Sequence, residues 1–164
     1  GAEDDVVAQL ASDAAQGGVL SCANFNAPGQ VVIAGDSEAC DRAEALAAER
    51  GMRCSRLSVA GAFHSEHMAP AAEGLAKVLE SVDLRAPSVP VWSNVTAQPH
   101  SSDSSTIRAN LVAQLTSPVR WAESCHNFPA AGTLKFHESA PGTVLRGLMR
   151  RIDRERKVTS HDEP

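Results

Sequence analysis

The sequence predicts an α/β protein assembled from two pieces, an incomplete ferredoxin-like lobe followed by part of a second α/β layer. Three observations carry that expectation. Helix-period and strand-period segments follow one another in the order αββαβ up to residue 59, one strand short of the βαββαβ order of a ferredoxin-like unit. Beyond residue 60, a periodic helical stretch leads into a long extended apolar run, which is how a further α/β layer begins. The chain has 164 residues, 43% of them hydrophobic, enough to bury one ordinary core or two small ones.

Each element has its own signal. Asp4 and Asp5 place acidic charge in the first turn of a helix whose apolar positions are Val6, Val7, Leu10, Ala11 and Ala14, and Gly17-Gly18 ends it. Val19–Ala23 and Gln30–Ala34 read as two strands of a hairpin, joined through Phe25-Asn26-Ala27-Pro28-Gly29. Asp36 or Ser37 can cap the next helix, which carries Ala39, Ala43, Leu46 and Ala47 on one stripe and stops at Gly51. Met52–Val59 follows as a strand. The predicted small lobe thus occupies residues 1–59 and lacks its first strand.

Residues 60–152 form the second piece. Met68, Ala71, Leu75, Val78, Leu79 and Val82 recur at helical spacing, and Pro87–Val95 reads as an extended strand. The polar run Ala97–Ser105 is a loop that caps a helix containing Ile107, Leu111, Val112 and Leu115. Pro118 stops that helix and starts another with Val119, Ala122 and Cys125, which should break near Pro129. Leu134–Glu138 reads as a strand. Pro141-Gly142 opens a last helix bearing Val144, Leu145, Leu148, Met149 and Ile152, with Arg146, Arg150 and Arg151 toward its C-terminal end. Residues 153–164 read as a frayed tail.

Composition excludes several function classes. A net charge of −5 without any dense Lys/Arg stripe argues against a nucleic-acid partner, and no apolar run approaches the roughly 18 residues that a membrane span requires. The N-terminal Gly1-Ala2-Glu3-Asp4-Asp5 has neither a basic nor an apolar leader pattern, so a cytoplasmic setting is expected. Cys22, Cys40, Cys54 and Cys125 form no C-x-x-C pair, so neither zinc nor redox chemistry is indicated, and they are expected to be reduced, mostly buried thiols.

The chemistry must reside in a few residues. His64, within Gly61-Ala62-Phe63-His64-Ser65, sits where the pattern changes from strand to helix, a position that often holds functional side chains in α/β proteins. His64 and His67 could meet on one helical face, but no further ligand stands at metal-site spacing. His100, His126 and His161 read as solvated or locally bonded imidazoles, and His137 as a strand residue beside Glu138. A serine acyl-transfer elbow of G-x-S-x-G type does not occur. Ser65 follows His64 directly, and neighbours at a turn seldom point together, which weighs against Ser65 as the nucleophile.

Five stretches, in order, resemble one family. Cys22–Gly35, with Asn24-Phe25-Asn26-Ala27-Pro28-Gly29-Gln30 and Val32-Ile33-Ala34-Gly35, resembles the N-x-N-x-P-G-Q-x-V-I-x-G segment of malonyl-CoA:acyl-carrier-protein transacylases. Gly61–Ser65 is similar to that family's catalytic-histidine motif, Val91–Thr96 to its P-V-x-S-N-V-T strand, Gln114–Trp121 to its Q-L-x-x-P-V-x-W segment, and Glu138–Leu145 to its E-x-G-P-G-x-V-L. Ser139-Ala140 departs from the usual apolar-Gly pair, and Phe128-Pro129 enters a helix end that is usually free of proline.

The resemblance implies a ferredoxin-like small lobe set against an α/β-hydrolase-like acyltransferase lobe, of which this chain would hold the C-terminal part, with the active site in the cleft between them. It implies transfer of malonyl from coenzyme A, through a serine ester, to the phosphopantetheine thiol of acyl carrier protein, with no cofactor beyond those two substrates. His64 would be the general base and acid, and the main-chain carbonyl of Gln114 would orient its ring. Asn24 would line the cleft. Phe63 would favour malonyl over α-methyl-branched units by crowding the space of the methyl group, against the alternative of a plain core aromatic. The family's G-H-S-x-G elbow and its carboxylate-binding arginine have no counterpart in these residues, so the chain alone is expected to be inactive. A non-catalytic, partner-binding remnant is the alternative.

Overall fold

The structure is a computed structural model that describes residues 1–129, 134–139 and 141–161. It opens with helix α1 (Asp4–Ala15), the hairpin strands β1 (Leu20–Ala27) and β2 (Gln30–Gly35), and helix α2 (Ser37–Glu49), as the periodicity predicts. Leu10, Ala11 and Ala14 of α1 and Ala39, Ala43 and Ala47 of α2 are buried, and with Leu20 they form one core cluster. Positions four apart stack on one helix face, so the three alanines make a smooth ridge that lets the helices approach closely. Arg42 of α2 then donates to the last carbonyls of α1, Ala14 (2.7 Å) and Ala15 (3.0 Å), which have no partner within their own helix.

β1 and β2 pair antiparallel from Leu20 with Gly35 to Ala27 with Gln30. Pro28 and Gly29 form the turn, with Gly29 at φ +69°, a backbone conformation that favours glycine. At the far end, a Cβ on Gly35 would lie 2.0 Å from the Val19 carbonyl oxygen, so only glycine lets the strand ends approach this closely. On its other edge β1 meets Val119: Phe25 N–H donates to Val119 (2.9 Å), and Val119 N–H donates to Ala23 (2.8 Å). This makes a parallel bridge between Asn24 and Val119.

The second part holds a 3₁₀ turn (Glu66–Met68), α3 (Ala69–Glu80), α4 (Ser104–Ala113), α5 (Trp121–His126), β3 (Phe136–Glu138), α6 (Val144–Ile152) and β4 (Val158–Ser160). Asp103 caps α4 by accepting from the Thr106 N–H (2.7 Å). Its hydrogen bonds with the Ser105 and Thr106 hydroxyls and the Thr106 N–H hold its carboxyl well below the usual carboxylate range. Glu138 is buried at 2% exposure, and its carboxylate accepts from the N–H groups of Leu145 (2.7 Å) and Arg146 (3.1 Å). A residue on β3 thereby caps the N-terminus of α6 from outside the helix.

Several expectations need correction. Met52–Val59 and Pro87–Val95 form no strand among the described residues. Leu57, Val59, Val89 and Val91 are exposed, and the Pro87–Val95 stretch keeps only an isolated antiparallel bridge between Trp92 and Pro99. A strand needs a neighbouring strand for its backbone groups, and these described residues supply none. The small unit therefore shows αββα, without the final strand of the expected αββαβ. Val119 lies in the bridge to β1 and α5 starts at Trp121, because Pro118 and the β1 pairing hold that stretch extended.

The tail is not frayed throughout. Val158–Ser160 pairs parallel with Phe136–Glu138, and Arg156 pins the approach to it. The Arg156 guanidinium donates to Asp153 (2.9 Å), the Cys125 carbonyl (2.9 Å) and the Phe128 carbonyl (3.2 Å), and lies 5.5 Å from the centre of the Phe136 ring. Residues 162–164 of the expected tail and Ala140 of the Glu138–Leu145 motif lie outside the described residues. The four cysteines are free thiols, but only Cys125 is buried. Cys22 and Cys40 are half-buried and Cys54 is exposed. Burial pushes the Cys125 thiol up to about 12, only slightly offset by Arg156.

Candidate active site

His64 is built into a turn that local sequence shapes tightly. Its backbone adopts φ +61°, the left-handed region. Histidine is several-fold enriched there among non-glycine residues, although the conformation still carries strain that its surroundings must hold. The clamp is Ser65, 1% exposed, whose hydroxyl donates to the Ala62 carbonyl (2.6 Å) and accepts from the His67 N–H (3.3 Å). Ser65 is thus consumed by the turn and caps the 3₁₀ segment that follows. That geometry gives it no exposed hydroxyl with which to attack a substrate.

The half-buried ring of His64 is held by the connection between α4 and α5. Its Nδ1 lies 2.8 Å from the Gln114 carbonyl oxygen and 3.1 Å from the Ser117 carbonyl oxygen. Both partners only accept, so Nδ1 carries the proton of the neutral ring and the lone pair is left on Nε2. The carbonyls are available for a reason visible in the sequence. In a continuing helix the Gln114 carbonyl would accept from the residue four places on, and that residue is Pro118, which has no N–H. Ser117 immediately precedes the proline and is turned out of the helical conformation. Its role was missed from sequence, yet the Ser117-Pro118 dipeptide is the signal that could have disclosed a free carbonyl.

The remaining candidates fall as follows. Asn24 is half-buried on β1 and bridges Val119, two residues beyond Ser117, so Asn24 and His64 lean on opposite ends of one short segment. Phe63 is 49% exposed and lies outside the core cluster of the described residues. His67 does not join His64: its Nε2 faces the Asp36 carboxylate at 2.7 Å. His137 faces His161 across β3 and β4, with Nδ1 and Nε2 2.8 Å apart and the rings stacked. Among the described residues, no group of three His, Cys, Asp or Glu side chains could hold a metal ion, and no helix is long and apolar enough to cross a membrane. Two shallow hollows, of about 290 and 470 Å³, lie against residues 86–102 and against the α1–β1 and β2–α2 junctions, with no residue of Gly61–Ser65 in their walls.

A fixed imidazole with one free nitrogen can take a proton from a nucleophile and return it to a leaving group. The family model described as acyl transferase domain matches residues 5–160. Malonyl CoA-acyl carrier protein transacylase of Bacillus subtilis is 41% identical over 150 residues, covering 91% of this chain and 47% of that protein. The enzyme of the same name from Escherichia coli is 40% identical over 165 residues, covering all of this chain and 53% of the relative. The crystal structure of malonyl-CoA:acyl carrier protein transacylase from Xanthomonas oryzae superposes with a TM-score of 0.93 at 41% identity, over 100% of this chain and 52% of that one. A malonyl-transacylase solved in complex with a type II polyketide acyl-carrier protein superposes with a TM-score of 0.94 at 36% identity, over 100% of this chain and 53% of that one. The chain spans about half the length of the curated relatives it matches. These superpositions carry the mixed α/β architecture expected from the sequence, that of part of an acyltransferase fold.

Proposed function

The chain belongs to the acyl transferase domain family, and from that premise we propose that it is the C-terminal portion of an enzyme moving malonyl from coenzyme A to the phosphopantetheine thiol of acyl carrier protein, in fatty-acid or polyketide synthesis. The observation that carries the reading is the His64 ring, held through Nδ1 by the Gln114 and Ser117 carbonyls with Nε2 left to exchange a proton. His64 Nε2 takes the proton of a serine hydroxyl as that oxygen attacks the malonyl thioester carbonyl. The carbon–sulfur bond breaks, and the proton passes from His64 to the coenzyme A thiolate. In the second half-reaction His64 deprotonates the phosphopantetheine thiol, which attacks the serine ester. The ester carbon–oxygen bond breaks and the proton passes from His64 to the serine oxygen, giving malonyl-acyl carrier protein and the restored hydroxyl without a metal or a further cofactor.

The serine belongs to the part of the protein outside these 164 residues, and the chain alone is inactive. Two observations support that division. Ser65 is spent on its own turn. Leu57, Val59, Val89 and Val91 stand exposed on segments whose sequence reads as strand, the condition of strands whose neighbours are supplied from elsewhere. Phe63, exposed next to His64, restricts the acyl group to malonyl by excluding an α-methyl branch, and Asn24 lines the same cleft. The proposed setting is the cytoplasm.

The test is transfer of labelled malonyl from coenzyme A to acyl carrier protein by the complete protein. His64→Ala slows that transfer by about 10²–10⁴-fold, the usual worth of a general acid–base group. An unchanged rate would remove His64 from the mechanism. Intact-mass measurement of the 164-residue chain with malonyl-CoA yields no acyl adduct, and a covalent adduct would place the nucleophile within it.

A further inference from the structure

Asp36 stands at the N-cap of α2, where an aspartate ordinarily accepts from its own helix, yet it makes no side-chain cap. Both carboxylate oxygens are committed elsewhere. One accepts from the Val19 N–H (2.8 Å), and the other faces His67 Nε2 at 2.7 Å, thirty-one residues along the chain. The carboxyl sits below the usual range because of the Val19 N–H first and His67 second. An acceptor diverted from its local task to a distant imidazole calls for a reason.

The reason lies in what flanks His64. On the N-terminal side, the tie to α2 nearest the turn among the described residues is Arg56, whose guanidinium meets the Asp41 and Glu44 carboxylates eight residues before His64. On the C-terminal side the turn is held by Ser65, and His67 is fixed twice, through its N–H to the Ser65 hydroxyl and through its ring to Asp36. Asp36 is itself anchored to the start of β1 by Val19. We propose that Asp36 and His67 are a positioning pair for His64, tying the turn that presents the imidazole to the α1–β1–β2–α2 unit so that the ring keeps Nδ1 on its two carbonyls and Nε2 toward the reacting atoms.

This inference deepens the general-base reading and rests on it. The pair is close to half exposed, so its leverage is local: it sets how much of the time the turn holds its left-handed residue, and contributes little to global stability. His67→Leu in the complete protein lowers kcat by about threefold to fivefold, the ratio an exposed contact of this kind can supply, and leaves KM for the thioester donor unchanged. His67→Gln, whose amide nitrogen can still donate to Asp36, restores kcat.

The direct readout is the ring of His64 itself. With ¹⁵N-labelled histidine in the complete protein, the wild-type and His67→Gln spectra show the Nδ1-protonated tautomer of His64, and His67→Leu shows the averaged shifts of a ring that has left its carbonyls. Asp36→Asn combined with His67→Leu is no slower than His67→Leu alone if the two act as one unit. Unaltered kcat and unaltered His64 shifts in His67→Leu would overturn the proposal, as would additive losses in the double variant. The two readings fail separately. If His64→Ala transfers malonyl at full rate while His67→Leu still shifts the His64 signals, the base assignment falls and the positioning pair stands.

Discussion

Ser65→Ala separates the structural from the chemical reading of the turn. The hydroxyl is 1% exposed, so no water can replace it once it is gone. It donates one short bond to Ala62 at 2.6 Å and accepts one long bond from His67 at 3.3 Å. A net hydrogen bond is worth about 0.5–1.5 kcal/mol, and the long one belongs at the bottom of that range, so the substitution should destabilise the folded chain by about 1–2 kcal/mol. With a urea dependence of about 2 kcal/mol per molar for a chain of this size, the unfolding midpoint falls by about 0.5–1 M, followed by circular dichroism. Under the proposed function, malonyl transfer by the complete protein should persist within about tenfold of wild type, because the substitution acts on the reaction only through the orientation of His64. Two outcomes would refute the reasoning: an unchanged urea midpoint would mean the hydroxyl does not hold the turn, and loss of transfer as deep as that of His64→Ala would mean Ser65 is a reactant.

Three further predictions test the scaffold. Arg156→Ala removes a guanidinium whose side chain is 8% exposed, taking this donor from the Phe128 carbonyl and leaving the Cys125 carbonyl the long bond from the Phe128 N–H (3.4 Å), so it should cost about 1–3 kcal/mol, with Arg156→Met milder because it keeps the contact on Phe136; urea titration ranks the two. Asp103 has a folded carboxyl below its unfolded value of about 3.9, so its capping contribution is fully present above that value and is lost as pH falls through the folded one. Hydrogen exchange in α4 should therefore accelerate relative to the rest of the chain only in strong acid, and Asp103→Ala should show the acceleration already at pH 7. Iodoacetamide at pH 8 should label exposed Cys54 first and reach Cys125 only on unfolding, since burial keeps that thiol protonated with a value of about 12; early labelling of Cys125 would contradict its packing.

Much of the fold could be read from local pattern because its elements are specified locally. The alanine ridge Ala39, Ala43 and Ala47, the Pro28-Gly29 turn and the apolar face of α6 each need only their own residues to be recognised. What sequence reasoning misjudged depends on partners far along the chain. Met52–Val59 and Pro87–Val95 have strand composition, and composition cannot say whether a neighbour is present. Val158–Ser160 is short and polar, and becomes a strand only because Arg156 and Glu138 hold it against Phe136–Glu138. Likewise, the residues that resemble a family pointed to His64 and Gln114, whereas the second carbonyl at Ser117 and the Asp36–His67 contact arise from proximities that no spacing rule encodes.

The left-handed backbone at His64 also bears on how far this position could ever be re-engineered. Under the proposed function two demands meet there: the residue must tolerate φ +61°, and its side chain must take up a proton and return it. Asparagine and aspartate accept the first demand, yet one does not titrate and the other is ionised throughout the neutral range. Lysine fails the second for the opposite reason, and glycine offers backbone freedom with nothing to exchange a proton. A library randomised at this codon should therefore return histidine, and a designer seeking a different base would have to redraw the turn before changing the residue.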